Sequence, residues 1–169
     1  MPGEMNLKPE PYYPDGKPGC FERGMEFQDF VCTILAREHI ILQNLASKKY
    51  QIETGENLQG FEIKLDRRCT DTGRLSIEIA EKTRAEQVDW FPSGIYRDDN
   101  SWLYIQGNGQ ILFIFAKNWL RRWHRRYGGE CTPTPTIKAF YIQFEVAKEH
   151  AIKWFDLGVR APGAGKDGG

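Results

Sequence analysis

Two stretches decide how this chain folds: Gly60-Phe-Glu-Ile-Lys-Leu-Asp66 and Arg74-Leu-Ser-Ile-Glu-Ile-Ala-Glu-Lys82. In the first, Phe61, Ile63 and Leu65 alternate with Glu62, Lys64 and Asp66. In the second, Leu75, Ile77 and Ile79 alternate with Arg74, Ser76, Glu78 and Ala80. Side chains on an extended strand point alternately to opposite faces, so each stretch reads as a strand with one apolar and one polar face. The connection is rich in Asp, Thr and Gly, which suits a turn centred near Thr70. Folding the strands about that point predicts a hairpin with Glu62 opposite Glu78, Lys64 opposite Ser76 and Asp66 opposite Arg74. A slip of one residue would move every charge into the core.

Working outward, Phe27, Phe30, Val31, Ile34, Leu35, Ile41, Leu42 and Leu45 recur at three- and four-residue spacing, which predicts a helix over 21–46. Further strands are expected at 49–53, 101–106 and 110–115, with Gly107-Asn-Gly109 as a hairpin turn. A second helix is expected over 117–127, stopped by Gly128-Gly129. A rigid Thr-Pro connector over 131–136 then leads to a strand at 137–146 and a helix at 147–157 with Gly158 as its cap. Residues 1–20 carry Pro2, Pro9, Pro11, Pro14 and Pro18 and read as a flexible arm, and 161–169 as a Gly-rich tail. The order of elements over 21–160 predicts one α/β (α+β) domain, a mixed central β-sheet flanked by helices.

A length of 169 residues suits a single domain, and 40% hydrophobic against 27% charged residues supports a core and excludes wholesale disorder. No apolar run approaches the roughly 20 residues of a membrane span, and residues 1–19 hold no apolar stretch of the secretory type. The four cysteines lie far apart without a CxxC pair, which argues against a zinc ribbon or a disulfide scaffold and leads us to expect a reducing, cytoplasmic setting. With 23 basic and 23 acidic side chains, only the local distribution of charge can point to nucleic acid.

The expected hairpin sets two carboxylates, Glu62 and Glu78, face to face beside Lys64. Like charges directly opposite destabilise a sheet, and a divalent cation would resolve the conflict. Mg²⁺ takes carboxylate oxygens and keeps several waters. A neighbouring lysine can orient or help deprotonate an attacking water while the ion stabilises a phosphoryl oxygen. Alternating Glu and Lys is also the ordinary pattern of a solvated sheet face. Glu56 stands six residues before Glu62, and Glu62-Ile-Lys64 places an acid and an amine on one strand face. Glu53 and Glu81 read as surface charges.

Gly60-x-Glu62, the strand Ile77-Glu78-Ile79 and an upstream helix carrying Gly24-Met-Glu26 together resemble the PD-(D/E)XK nuclease superfamily, which has the restriction-endonuclease-like fold and includes archaeal Holliday-junction resolvases. The resemblance covers about a third of the chain. It implies Mg²⁺ (or Mn²⁺) as cofactor and DNA as partner, with Glu62 and Glu78 as metal ligands, Glu56 or Glu26 assisting, and a phosphodiester bond as the target. The departure is Ala80, which stands where the family places lysine; Lys64 or Lys82 would take its role. A homodimer and a phage or prophage origin are expected by analogy alone. The alternative expectation is a catalytically silent nucleic-acid-binding or assembly protein on the same fold.

The segment Lys117-Asn-Trp-Leu-Arg-Arg-Trp-His-Arg-Arg126 concentrates charge. On a helix Arg121, Arg122, Arg125 and Arg126 cluster at i, i+4 spacing, with Lys117 at the start. These residues, extended by Arg67 and Arg68, are the expected phosphate-backbone contacts, weighed against an ordinary solvated face. Tyr96 and Arg97 sit in a turn-rich loop between strands. His39, His124 and His150 form no metal motif, and there is no GxxxxGK[ST] phosphate loop.

Overall fold

The expected hairpin does not form. Strand β1 (Phe61–Leu65) pairs in parallel with β4 (Leu103–Gly107), placing Glu62 beside Tyr104 and Lys64 beside Gln106. Strand β2 (Arg74–Glu81) belongs to a second sheet and pairs antiparallel with β7 (Ile137–Gln143), so that Ser76 faces Tyr141 and Glu78 faces Ala139. The computed structural model describes residues 20–45 and 47–158; the expected arm (apart from Cys20) and tail lie outside them.

Two four-stranded sheets result. The first runs β1-β4-β5-β8, with β5 at Ile111–Ala116 and β8 at Lys153–Asp156. The second runs β3-β2-β7-β6, with β3 at Phe91–Pro92 and β6 at Cys131–Thr134. The architecture is mixed α and β, with one mixed and one antiparallel sheet. The turn between β1 and β2 is taken by a single helical turn, α3 (Cys69–Thr72), which ends on Gly73 in the left-handed conformation.

Helix α1 (Cys20–Arg37) covers one face of the first sheet. Its Phe27, Val31, Ile34 and Leu35 pack on Phe61, Ile63, Leu103, Ile105, Leu112 and Ile114. Burying side chains of this size contributes about 1.5–3 kcal/mol each. On the opposite face Tyr104, Phe113 and Phe115 join Leu75, Ile77, Phe140 and Ile142 of the second sheet, and Leu120 of α4 (Lys117–Tyr127) and Ala147 of α5 (Phe144–His150) close that core. The alternation in β1 therefore divides cleanly. Phe61 and Ile63 point to α1, while Glu62 and Lys64 point toward the second sheet.

Several element boundaries depart from the periodicity. The first helix stops at Arg37, nine residues before the expected end. His39 adopts a left-handed φ of 63°, and the Ile40 N–H reaches back to the Leu35 carbonyl at 3.0 Å, a helix-ending pattern that takes precedence over the apolar spacing of Ile41 and Leu42. Residues 49–53, expected as a strand, belong to the short helix α2 (Lys48–Glu53), a segment of good helix formers where Lys49 lies 4.0 Å from Glu53. The expected 147–157 helix is shorter and earlier; its second half is β8, drawn into extended form by pairing with β5. The Thr-Pro connector is β6, an edge strand of the kind that tolerates proline.

Strand β2 carries an irregularity at the site. The register with β7 shifts between Glu78 and Ala80, two residues of β2 against one step of β7. Beside it, Gly94 (φ 52°) presses against Glu78; a Cβ there would run into the Glu78 carbonyl oxygen. Gly94 opens a 3-10 turn through Tyr96, and that turn brings Ser93 to the Glu78 side chain. No helix among the described residues is long and apolar enough to cross a membrane.

Candidate functional site

The buried charges of the chain gather on the β1 face that looks toward the second sheet. Glu62 is 1% exposed. Its Oε1 lies 3.4 Å from Lys64 Nζ and its Oε2 lies 2.6 Å from Lys117 Nζ. Lys64 also reaches Glu78 Oε1 at 3.5 Å, so one amine bridges the two carboxylates that the sequence set together. The juxtaposition survives although the hairpin does not, because β2 crosses close to β1 and β4. The Ser76 N–H donates to Asp66 Oδ2 at 2.9 Å, and Gln106 Nε2 donates to the Ser76 carbonyl at 2.7 Å. Asp66 thus serves β2's backbone and Gln106 rather than Arg74, whose partner on the ladder is Gln143.

Glu56 joins from the turn before β1. Its position follows from Asn57, fully buried, whose side chain clamps Phe61 through its N–H (2.9 Å) and its carbonyl (2.7 Å). Glu56 Oε2 then accepts the Ile63 N–H at 2.9 Å, occupying the free edge of β1. Burial, reinforced by the Glu62 charge and opposed by Lys64, pushes the Glu56 carboxyl up from 4.5 to about 7. Lys64 moves the other way from a typical buried lysine. Burial would lower it, but Glu78 and Glu62 outweigh that, and its amine is held well above its ordinary value.

Lys117 was expected among the phosphate contacts and is instead 1% exposed. It opens α4, where a cation opposes the helix dipole. Glu62, Asp99 Oδ1 at 3.5 Å and the Ser101 hydroxyl compensate. Asp99 is itself held below its ordinary value: burial would raise it, but hydrogen bonds from Ser101 and the charges of Lys117 and Arg97 prevail. Ser93 donates to Glu78. Sequence reasoning passed over Asp99, Ser93, Ser101, Tyr104 and Gln106. The available signal was polarity inside apolar runs, Tyr104 and Gln106 within Leu103–Gly107 and Lys117 directly after Ile111–Ala116.

The remaining expected residues lie elsewhere. Lys82 donates to the Ala85 and Gln87 carbonyls and sits over Trp90, away from Glu62 and Glu78. Glu26 lines a depression with Arg23, Phe30 and Arg67 on the α1 side of the first sheet. Arg121 is tied to the Ile95 carbonyl, and Arg122, Arg125 and Arg126 are exposed. Arg67 and Arg68, by contrast, line a cleft of about 530 Å³ whose lining also includes Lys64, Glu78, Tyr104 and Arg74.

Among the described residues, the buried side-chain atoms that no donor or acceptor meets along a hydrogen-bond direction are both Glu62 oxygens, the Tyr104 hydroxyl and Gln106 Oε1. All three residues are neighbours on β1 and β4. Glu62 is nonetheless charge-compensated, its Oε1 by Lys64 and its Oε2 by Lys117, so the patch is a buried polar network rather than a set of free acceptors. No group of three or more His, Cys, Asp or Glu among the described residues is assembled as a metal cage. Mg²⁺ ordinarily takes only one or two carboxylates, completed by water and substrate phosphate. Glu62 and Glu78, two carboxylates on one lysine amine, are the residues that could hold such an ion, in competition with Lys64 and Lys117. Comparison with known proteins returned no match: no family model, no curated protein and no solved structure matches the chain.

Proposed function

We propose that the protein is a metal-dependent phosphodiester hydrolase acting on DNA, on a restriction-endonuclease-like variant of the α+β architecture. The observation that carries this reading is the Lys64 amine shared by Glu62 and Glu78, with Lys64 and Glu78 lining a cleft that Arg67, Arg68 and Arg74 also line. Glu62 and Glu78 would hold Mg²⁺ or Mn²⁺, with Glu56 adjoining. When bound, the ion would neutralise charge on a phosphoryl oxygen and acidify a water.

The chain's own groups divide the remaining work. Lys64 stays protonated at neutral pH, so it orients the phosphate or the water as a cation and does not act as the base. Glu56 would stand beside Glu62 and Lys64, its carboxyl raised by burial to about 7 while its Oε2 accepts the Ile63 N–H. Lys117 and Asp99 fix the Glu62 carboxylate from behind. Arg67 and Arg68 of the cleft hold backbone phosphates.

A second reading, a nucleic-acid-binding protein without catalysis, draws on the ion pairs that already neutralise Glu62. Incubating purified protein and Mg²⁺ with plasmid and, separately, with a circular single-stranded DNA separates the two, cutting of either substrate counting as cleavage. Cutting that requires the metal and disappears in Glu62→Gln is the expected outcome. Intact DNA bound with strong salt dependence and no metal requirement would instead establish the binder.

A further inference from the structure

We propose that the cleft accepts an unpaired DNA strand, with Tyr141 and Arg74 forming a platform on which the base next to the target phosphate stacks. This deepens the reading of the cleft as a DNA site and rests on it. Duplex DNA offers a protein its phosphates and the edges of its bases, but the faces of its bases are already stacked on one another. A wall built for duplex needs cations and polar donors; an aromatic ring among them has no base face to meet. Unpaired strands are recognised differently, by stacking bases on aromatic rings or on guanidinium planes while cations follow the backbone.

The cleft carries both halves of that pattern. Tyr141 lies directly across from Ser76 on the β2–β7 ladder, and the Arg74 guanidinium lies 3.8 Å from the centre of its ring. Both line the cleft, and Pro133 and Ile137 add apolar surface to the wall. Ser76 precedes Glu78 by two residues on β2, which sets the platform roughly 7 Å along the strand from the Lys64–Glu78 pair. Arg67 and Arg68 are exposed on the same lining. A volume of about 530 Å³ falls within the ~300–1,000 Å³ of ordinary small-ligand pockets, room for nucleotide units. The arginines of α4, the more obvious duplex-binding surface, are not among the cleft's lining residues.

The test is fluorescence anisotropy in the presence of a chelator, so that nothing is cut, with three labelled probes of about 12 nucleotides: oligo-dT, an abasic strand of the same length, and a duplex. Oligo-dT is expected to bind at least about tenfold more tightly than the abasic strand and more tightly than the duplex. Tyr141→Ala should lose about tenfold on oligo-dT and nothing on the abasic strand, and Tyr141→Phe, which keeps the ring and the packing, should restore wild-type binding. Equal binding of dT and abasic strands, tighter binding of the duplex, or Tyr141→Ala and Tyr141→Phe behaving alike would overturn the proposal. Adding Mg²⁺ keeps the two readings distinct. Metal-dependent cutting with no single-strand preference removes this inference and leaves the hydrolase, whereas Tyr141-dependent strand binding without cutting removes the hydrolase and leaves this inference.

Discussion

The chain places its positive charge in two very different settings. On α4, Arg122, Arg125 and Arg126 stand in solvent, with Arg126 5.1 Å from the centre of the Tyr127 ring. On the inner face of β1 and at the start of the same helix, Lys64 and Lys117 are drawn into the protein and tied to Glu62, Glu78 and Asp99. Solvated charges cost nothing to keep and are gained or lost freely. Buried ones carry a desolvation penalty of several kcal/mol each and persist only when well paired. A sequence scan gives weight to the first group because it is dense. Physical cost points to the second, where Glu62 and Glu78 share the Lys64 amine.

The sharpest way to break this contrast is to remove the central acid. Glu62→Gln should lower metal-dependent cleavage by at least about 100-fold, while Arg125→Ala retains cleavage within about threefold at low salt; the reverse order would move the chemistry to α4. Next comes stability. Lys117→Met leaves Glu62 and Asp99 short of a counter-charge and should cost roughly 3–5 kcal/mol, whereas Arg122→Met should stay within about 0.5 kcal/mol, both read from urea unfolding midpoints.

Titration gives a third, smaller effect. Glu56 ionises near 7 when folded and near 4.5 when unfolded, so the folded state holds its proton more tightly. That contribution is complete below about pH 4.5 and is lost as the pH rises through about 7. Wild type should therefore lose stability relative to Glu56→Gln across that window, by roughly 3 kcal/mol at most. Parallel stability–pH curves would show that Glu56 is not buried as described. Fourth, the double substitution Arg122→Ala with Arg125→Ala should flatten the salt dependence of DNA binding, by about one unit of slope for each phosphate that α4 no longer holds. An unchanged slope would show that the cleft alone grips the backbone. Least of all, Ala80→Lys should leave cleavage where it was, because residue 80 lines a depression with Trp90, His124 and Lys138 rather than the cleft.

How much of this was legible follows from the range of the forces involved. Strands β1 and β2, the β4–β5 hairpin and α4 carry their own local pattern, and the structure matches that pattern to within a residue or two. Which strands pair was not legible, because a plausible turn at Thr70 competes with a parallel partner some forty residues downstream, and only the apolar packing beneath α1 decides between them. The site was half visible. Glu62, Lys64, Glu78 and Glu56 announced themselves as charges on strand-like or turn segments. Lys117 and Asp99 could not be placed, since each looks like an ordinary surface residue until β5 delivers Lys117 to Glu62 and the loop before β4 delivers Asp99 to Lys117.

The irregularity in β2 has a wider bearing on how such chains are read. Partners across a ladder share a face, and Ala139 and Lys138 are consecutive, so Glu78 and Ala80 look in opposite directions despite standing two apart. A motif counted in residues assumes an unbroken pleat. Here the count is right and the direction is wrong, and the amine is supplied from another sheet. An alanine at position 80 therefore leaves an amine beside Glu78 all the same, because Lys64 supplies it, and a ruler counted along β2 would need to be reset after Ile79.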